Sequence, residues 1–125
     1  MIYTSYYSNW RNFPKGALIV QVSASAPTHV NDSIGWAIPS WKNMVFPIKN
    51  REITEEEYKR RYLEQLNSHE ELVLKDMKKL EQWSIDGRDV MLCCFEKPPK
   101  FCHRFILSEW LNQRGYNITE FPYKG

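Results

Sequence analysis

Two runs of strand length, Ala17-Leu18-Ile19-Val20-Gln21-Val22-Ser23 and Asp89-Val90-Met91-Leu92-Cys93-Cys94-Phe95, are apolar almost without a break. A strand with one face in water alternates polar and apolar residues, whereas a continuous apolar run needs cover on both faces, the condition of strands in a parallel sheet enclosed by further layers. Helical sequence separates the two runs. Together they predict an α/β fold: a three-layer sandwich around a mostly parallel sheet of four to five strands. The 17–23 run reads as the central strand. At 125 residues the chain suits one hydrophobic core, so residues 1–125 are read as a single domain.

The remaining elements follow from local signals. Ile2, Tyr3, Tyr6 and Tyr7 favour an opening strand, because β-branched and aromatic side chains suit a pleated surface. Asn9 to Gly16 is a connector of about eight residues, shorter than the dozen or so a parallel crossover takes, and this leaves the relative direction of the first two strands open. Ala24 to Arg51 has no period, is punctuated by Pro27, Gly35, Pro39 and Pro47, and keeps Trp36, Trp41, Met44 and Phe46; such a segment usually covers a site or carries one. Thr54 is a helix cap to which Glu57 can reach back, with Tyr58, Tyr62, Leu63 and Leu66 on the buried face. Ser68 and Glu71 repeat the pattern and predict a second helix that buries Val73, Met77 and Leu80 and stops before Asp86-Gly87. After Pro98-Pro99 a helix is expected to bury Phe105, Ile106, Trp110 and Leu111 and to end at Gly115. Tyr116 to Phe121 alternates like an edge strand.

No apolar stretch approaches the ~20 residues of a membrane span, and the first residues lack the layout of a secretory signal. A cytoplasmic protein with no membrane partner is therefore expected. Three cysteines, two of them adjacent, make a poor disulfide framework, so reduced thiols are expected. A net charge of +2 is well short of the basic stripe of a duplex binder, so nucleic acid is a possible partner that the charge does not indicate.

The strand-to-helix turn Glu96-Lys97-Pro98-Pro99-Lys100-Phe101-Cys102-His103-Arg104 should lie at the carboxyl end of a buried strand, where ligands of open α/β sheets bind. No Ser, Thr, Asp or Asn between Glu96 and Cys102 caps the helix, so its first N–H groups are candidates for an anion, with Lys97, Lys100 and Arg104 adding charge. Cys102 in the first turn is a candidate nucleophile, with His103 or Glu96 as proton carrier. Thr4, Ser5, Tyr6, Ser23 and Ser25 meet the same sheet edge if the strands run parallel, and are candidate ligand-binding hydroxyls. Trp41, with Trp36, is a candidate ring platform, and Lys42 and Lys49 are candidate phosphate contacts. Cys94, Cys102 and His103 match no paired Cys or Cys/His spacing, so no metal site and no cofactor are assigned.

The stretch Leu92-Cys93-Cys94-Phe95-Glu96, followed by Phe101-Cys102-His103-Arg104-Phe105-Ile106-Leu107 and Glu109-Trp110-Leu111, resembles the domain of unknown function 488 family. Ala26-Pro27-Thr28, and Ile53-Thr54 leading to Tyr58 and Tyr62, are similar to its middle region; Gln21-Val22-Ser23 stands where many members carry Asp-Val-Arg. The resemblance implies a compact three-layer α/β fold with a parallel-dominated sheet rather than an activity. The expected function is a domain that binds a phosphorylated or nucleotide-type anion at turn 94–104 and senses or sequesters a nucleotide signal. A Cys/His-dependent enzyme acting on a nucleotide or nucleic acid, and a protein-interaction module presenting Trp36 and Trp41, are the alternatives.

Overall fold

The second apolar run forms the spine of the sheet. In the computed structural model, which describes residues 1–96 and 100–122, β4 (Val90–Cys94) lies between β1 (Ile2–Tyr6) and β2 (Leu18–Gln21) and runs parallel to both. Two-residue strands finish the edges, β3 (Asp32–Ser33) beside β2 and β5 (Thr119–Glu120) beside β1, so the order is β3-β2-β4-β1-β5 and every pairing is parallel. The central strand is thus β4 rather than the 17–23 run, whose outer neighbour spans only two residues and leaves Ile19 and Gln21 partly exposed. The short connector is also accounted for: β1 and β2 are not neighbours, and β4 enters between them from later in the chain.

The pleat divides the core in two. Val90 and Leu92 face the helices with Ile2, Leu18 and Val20, while Met91 and Cys93 face the other way with Tyr7 and Phe121. The helical side is filled from α2 (Glu55–Ser68), α3 (Glu70–Ile85) and α4 (His103–Asn112), through side chains such as Tyr62, Leu66, Met77, Leu80 and Leu107. The opposite face has a thinner cover: a 3-10 helix at Tyr7–Asn12, followed by Phe13, Ala26 and Val30. Between β3 and α2 the aperiodic segment winds through a 3-10 turn (Gly35–Ala37), a π-helical turn (Trp41–Val45) and the short α1 (Phe46–Lys49).

Helix ends depart from the sequence pattern where tertiary partners compete. Thr54 does accept from the Glu57 N–H at 3.1 Å, but the Glu57 carboxylate turns to Arg60 and Arg61 instead of back to the cap. Ser68 is the last residue of α2, and α3 starts after His69 without a side-chain cap. In α4, Ile106, Trp110 and Leu111 are buried as expected, but Phe105 is 37% exposed and its place in the core goes to Leu107 and the fully buried Arg104. Gly115, at φ +97°, turns the chain after this helix in a conformation that favours glycine. Among the described residues no helix is long and apolar enough to cross a membrane.

Candidate functional site

The carboxyl ends of β2 and β4 open into a cleft of about 250 Å³. Its floor is polar, with Ser23 and Ser25 following β2 and Glu96 following β4. Cys102 and His103 close one end, at the start of α4. Aromatic walls come from Phe95, Phe101, Tyr58 of α2 and Trp41 of the π-helical turn. Lys49, at the end of α1, stands over the Trp41 ring with its ammonium 5.4 Å from the centroid. The aperiodic segment therefore does carry one side of a site.

The floor is held by a chain of hydroxyls. Ser23 Oγ bonds to the Tyr7 hydroxyl at 2.8 Å and donates to the Ser25 carbonyl, while Gln21 Nε2 donates to the Ser23 carbonyl at 2.9 Å. Burial pushes the Tyr7 phenol up to about 12, so it stays protonated as a donor. Tyr58 has the same burial-driven upward shift, reinforced by the Glu96 carboxylate. Its ring meets Phe101 edge-on at 5.2 Å, yet among the described residues its hydroxyl has no hydrogen-bond partner.

His103 is almost completely buried, and burial lowers its pKa to about 4, so the imidazole is neutral. Its Nε2 bonds the Val22 carbonyl. A carbonyl can only accept, so that nitrogen carries the proton and Nδ1 keeps its lone pair. Nδ1 lies 3.9 Å from Cys102 Sγ.

The expectation of three reduced thiols is corrected: Cys94 and Cys102 are joined as a disulfide, and the free cysteine is Cys93. The sequence separation of 8 hides this pairing, which joins the end of β4 to the N-cap of α4. In this form Cys102 has no thiol to act as a nucleophile. Cys93 lies on the opposite face of the strand among apolar side chains, where burial pushes its thiol up to about 12 and leaves it inert.

Arg104 is corrected too, because it does not face the cleft. Fully buried, it directs Nε and Nη2 to the Glu120 carboxylate at 3.1 and 2.9 Å and Nη1 to the Glu96 carbonyl at 2.7 Å. The fork expected to clasp an anion is filled by the protein's own β5. Thr4 joins this network by donating to Glu120 Oε1 at 2.7 Å, and the Tyr6 ring lies 5.7 Å from the guanidinium. Ser5 accepts from Asn9 on the other face of the sheet. None of Thr4, Ser5 and Tyr6 lines the cleft, because β1 sits beyond β4 from it. Lys100 is exposed and is not in its wall; Lys97 lies outside the described residues.

Of the predicted residues, the fold brings together Glu96, Cys102, His103, Ser23, Ser25 and Trp41. Trp36 goes elsewhere: its ring stacks on His69 at 3.5 Å beside Arg60 and Arg61, so the two tryptophans do not form one surface. The sequence pattern misses Tyr58 as a site residue, because a tyrosine on the buried face of a helix reads as core. The uncapped start of α4 is present as expected, with no side-chain hydrogen bond from its N-cap, Cys102.

No curated protein and no solved structure matches the chain. A family model described as the active DUF488-N3 subclade matches residues 37–115, more than half of the chain, from the 3-10 turn before Trp41 through β4 and α4. The chain therefore belongs to the domain of unknown function 488 family, within the DUF488-N3 subclade.

Proposed function

We propose that the cleft binds a small ligand carrying a flat ring and an anionic group, a mononucleotide or nucleoside phosphate, which the protein senses or sequesters. The observation that carries this reading is the aromatic wall around a polar floor, with Lys49 held above Trp41. Aromatic faces stack on any base, and a cation beside them offers a contact for phosphate. A volume of about 250 Å³ is just below the usual range of ligand pockets and suits a nucleoside better than a dinucleotide. With Arg104 paired internally, the anion is assigned to Lys49 and the bare first turn of α4. The cytoplasm is the compartment this proposal assumes.

Isothermal titration with mononucleotides and phosphosugars tests it. Binding should weaken about tenfold in Trp41→Ala, the loss of one stacking contact, and should become less salt-dependent in Lys49→Ala. If no member of the panel binds, or both variants bind as the wild type does, the proposal fails.

A second reading is favoured by the His103 Nδ1 lone pair next to Cys102 Sγ. Once the disulfide is reduced, His103 can take the Cys102 proton and Glu96 can carry a proton to or from a substrate in the cleft. Rapid alkylation of Cys102 near neutral pH, suppressed by nucleotide, would favour this enzyme; slow alkylation that speeds up only on denaturation would exclude it.

A further inference from the structure

The sulfur atoms of Cys94 and Cys102 and a ring nitrogen of His103 all lie within 4.8 Å of one another, and all three residues are buried. Three strong ligand groups from a strand end and a helix start thus converge on one point. We propose that, in the reduced protein, Cys94 Sγ, Cys102 Sγ and His103 Nδ1 bind a borderline-soft divalent cation of the zinc class, with the fourth position open to the cleft.

Four features argue for this. The Cα atoms of Cys94 and Cys102 are 7.6 Å apart, beyond the 4.4–6.8 Å that a disulfide ordinarily spans. Two thiolates at about 2.3 Å from a tetrahedral zinc sit about 3.8 Å apart, which suits the wider backbone span. His103 is already held for ligation, since its Nε2–H bonds the Val22 carbonyl and Nδ1 is left as the donor atom on the sulfur side; ligating histidines are oriented by this kind of outer bond. Arg104 Nη1 donates to Cys94 Sγ at 2.9 Å, supporting negative charge on that sulfur. Finally, Cys102 and His103 line the cleft whereas Cys94 does not, so a ligand or water can reach the cation from one side only. Three protein ligands with one open position is the arrangement of catalytic rather than structural zinc.

The two states of the pair are linked by a balanced exchange. Two equivalents of a small-molecule thiol transfer two electrons and two protons to the disulfide, forming two cysteine thiols and the reductant's own disulfide. The cation then displaces both thiol protons. This proposal does not depend on what the cleft binds, but it excludes Cys102 as a free nucleophile while the metal is bound.

Cobalt(II) titration of the full chain, reduced with a phosphine and desalted without oxygen, tests it. Thiolate-to-cobalt charge transfer and tetrahedral d–d absorption should saturate at one cobalt per chain and vanish on adding zinc. Cys102→Ser should reduce the charge-transfer intensity by about half and weaken binding at least about tenfold. Cys93→Ser and Trp41→Ala should bind cobalt like the wild type, which separates this site from the nucleotide reading. Because Cys94→Ser could perturb folding, the wild type alone is decisive. Folded, reduced protein that shows no charge transfer overturns the proposal, as does cobalt binding that survives unchanged in Cys102→Ser.

Discussion

His103 and Arg104 are neighbours in one helix and end in opposite situations. Arg104 is in an internal network, with all three of its nitrogens donating, to Glu120, the Glu96 carbonyl and Cys94 Sγ. His103 has one nitrogen occupied by Val22 and the other directed towards Cys102 at the end of a cleft. A helix turns about 100° per residue, so adjacent side chains enter different surroundings. The side under β1 and β5 is finished by the protein, while the side over β2 and β4 has ligand groups to spare. The lesson is that a basic motif at a helix start can be half scaffold and half site.

The sharpest way to break this comparison is Arg104→Ala. It leaves the partly buried Glu120 carboxylate and the Glu96 carbonyl without their donor, and should cost about 3–4 kcal/mol in urea unfolding. A loss under about 1 kcal/mol would show that the network is not structural.

Next in size is the pH dependence of the disulfide-bonded chain. Burial lowers the folded pKa of His103 from 6.5 to about 4, so between those values the unfolded chain binds the proton more readily than the folded one. Stability from this group is complete above pH 6.5 and is lost as pH falls towards 4, about 3 kcal/mol in all. His103→Gln should flatten that part of the profile; an unchanged slope would assign it to other groups.

Two tyrosines sharpen the contrast further. Tyr7→Phe deletes a bond to Ser23 Oγ and should cost about 1 kcal/mol. Tyr58→Phe removes a hydroxyl with no partner among the described residues and should change stability by less than about 0.5 kcal/mol. Chemical denaturation of both variants side by side would reverse the assignment if Tyr58→Phe proved the more harmful.

The elements that report on themselves locally were legible. Leu18–Gln21 and Val90–Cys94 declare buried strands through unbroken apolar runs, and Thr54 declares the start of α2 through its cap. Less legible were features set by competition at a distance. Ser68 looks like a cap for the next helix, yet it is the last residue of α2. Arg104 looks like an open fork because its partner, Glu120, is on a two-residue strand 16 positions away. Phe105 looks like core, but Arg104 takes the buried position and Phe105 flanks the guanidinium, 4.5 Å from its ring centroid. In the site, Cys102, His103, Glu96, Ser23, Ser25 and Trp41 were found from their place at strand ends and in the aperiodic segment, whereas Tyr58 was hidden by its helical spacing.

By itself the sequence determined that this chain builds an α/β fold on a mostly parallel sheet and where its longer strands and helices fall, because periodicity, caps and apolar runs act over a few residues. Only the tertiary structure decided that β4 is the centre, that Cys94 meets Cys102, and that Arg104 belongs to the frame while His103 belongs to the site. Those outcomes depend on which strand is inserted between which and on where a helix is rotated, and both are set by packing between segments far apart in the chain.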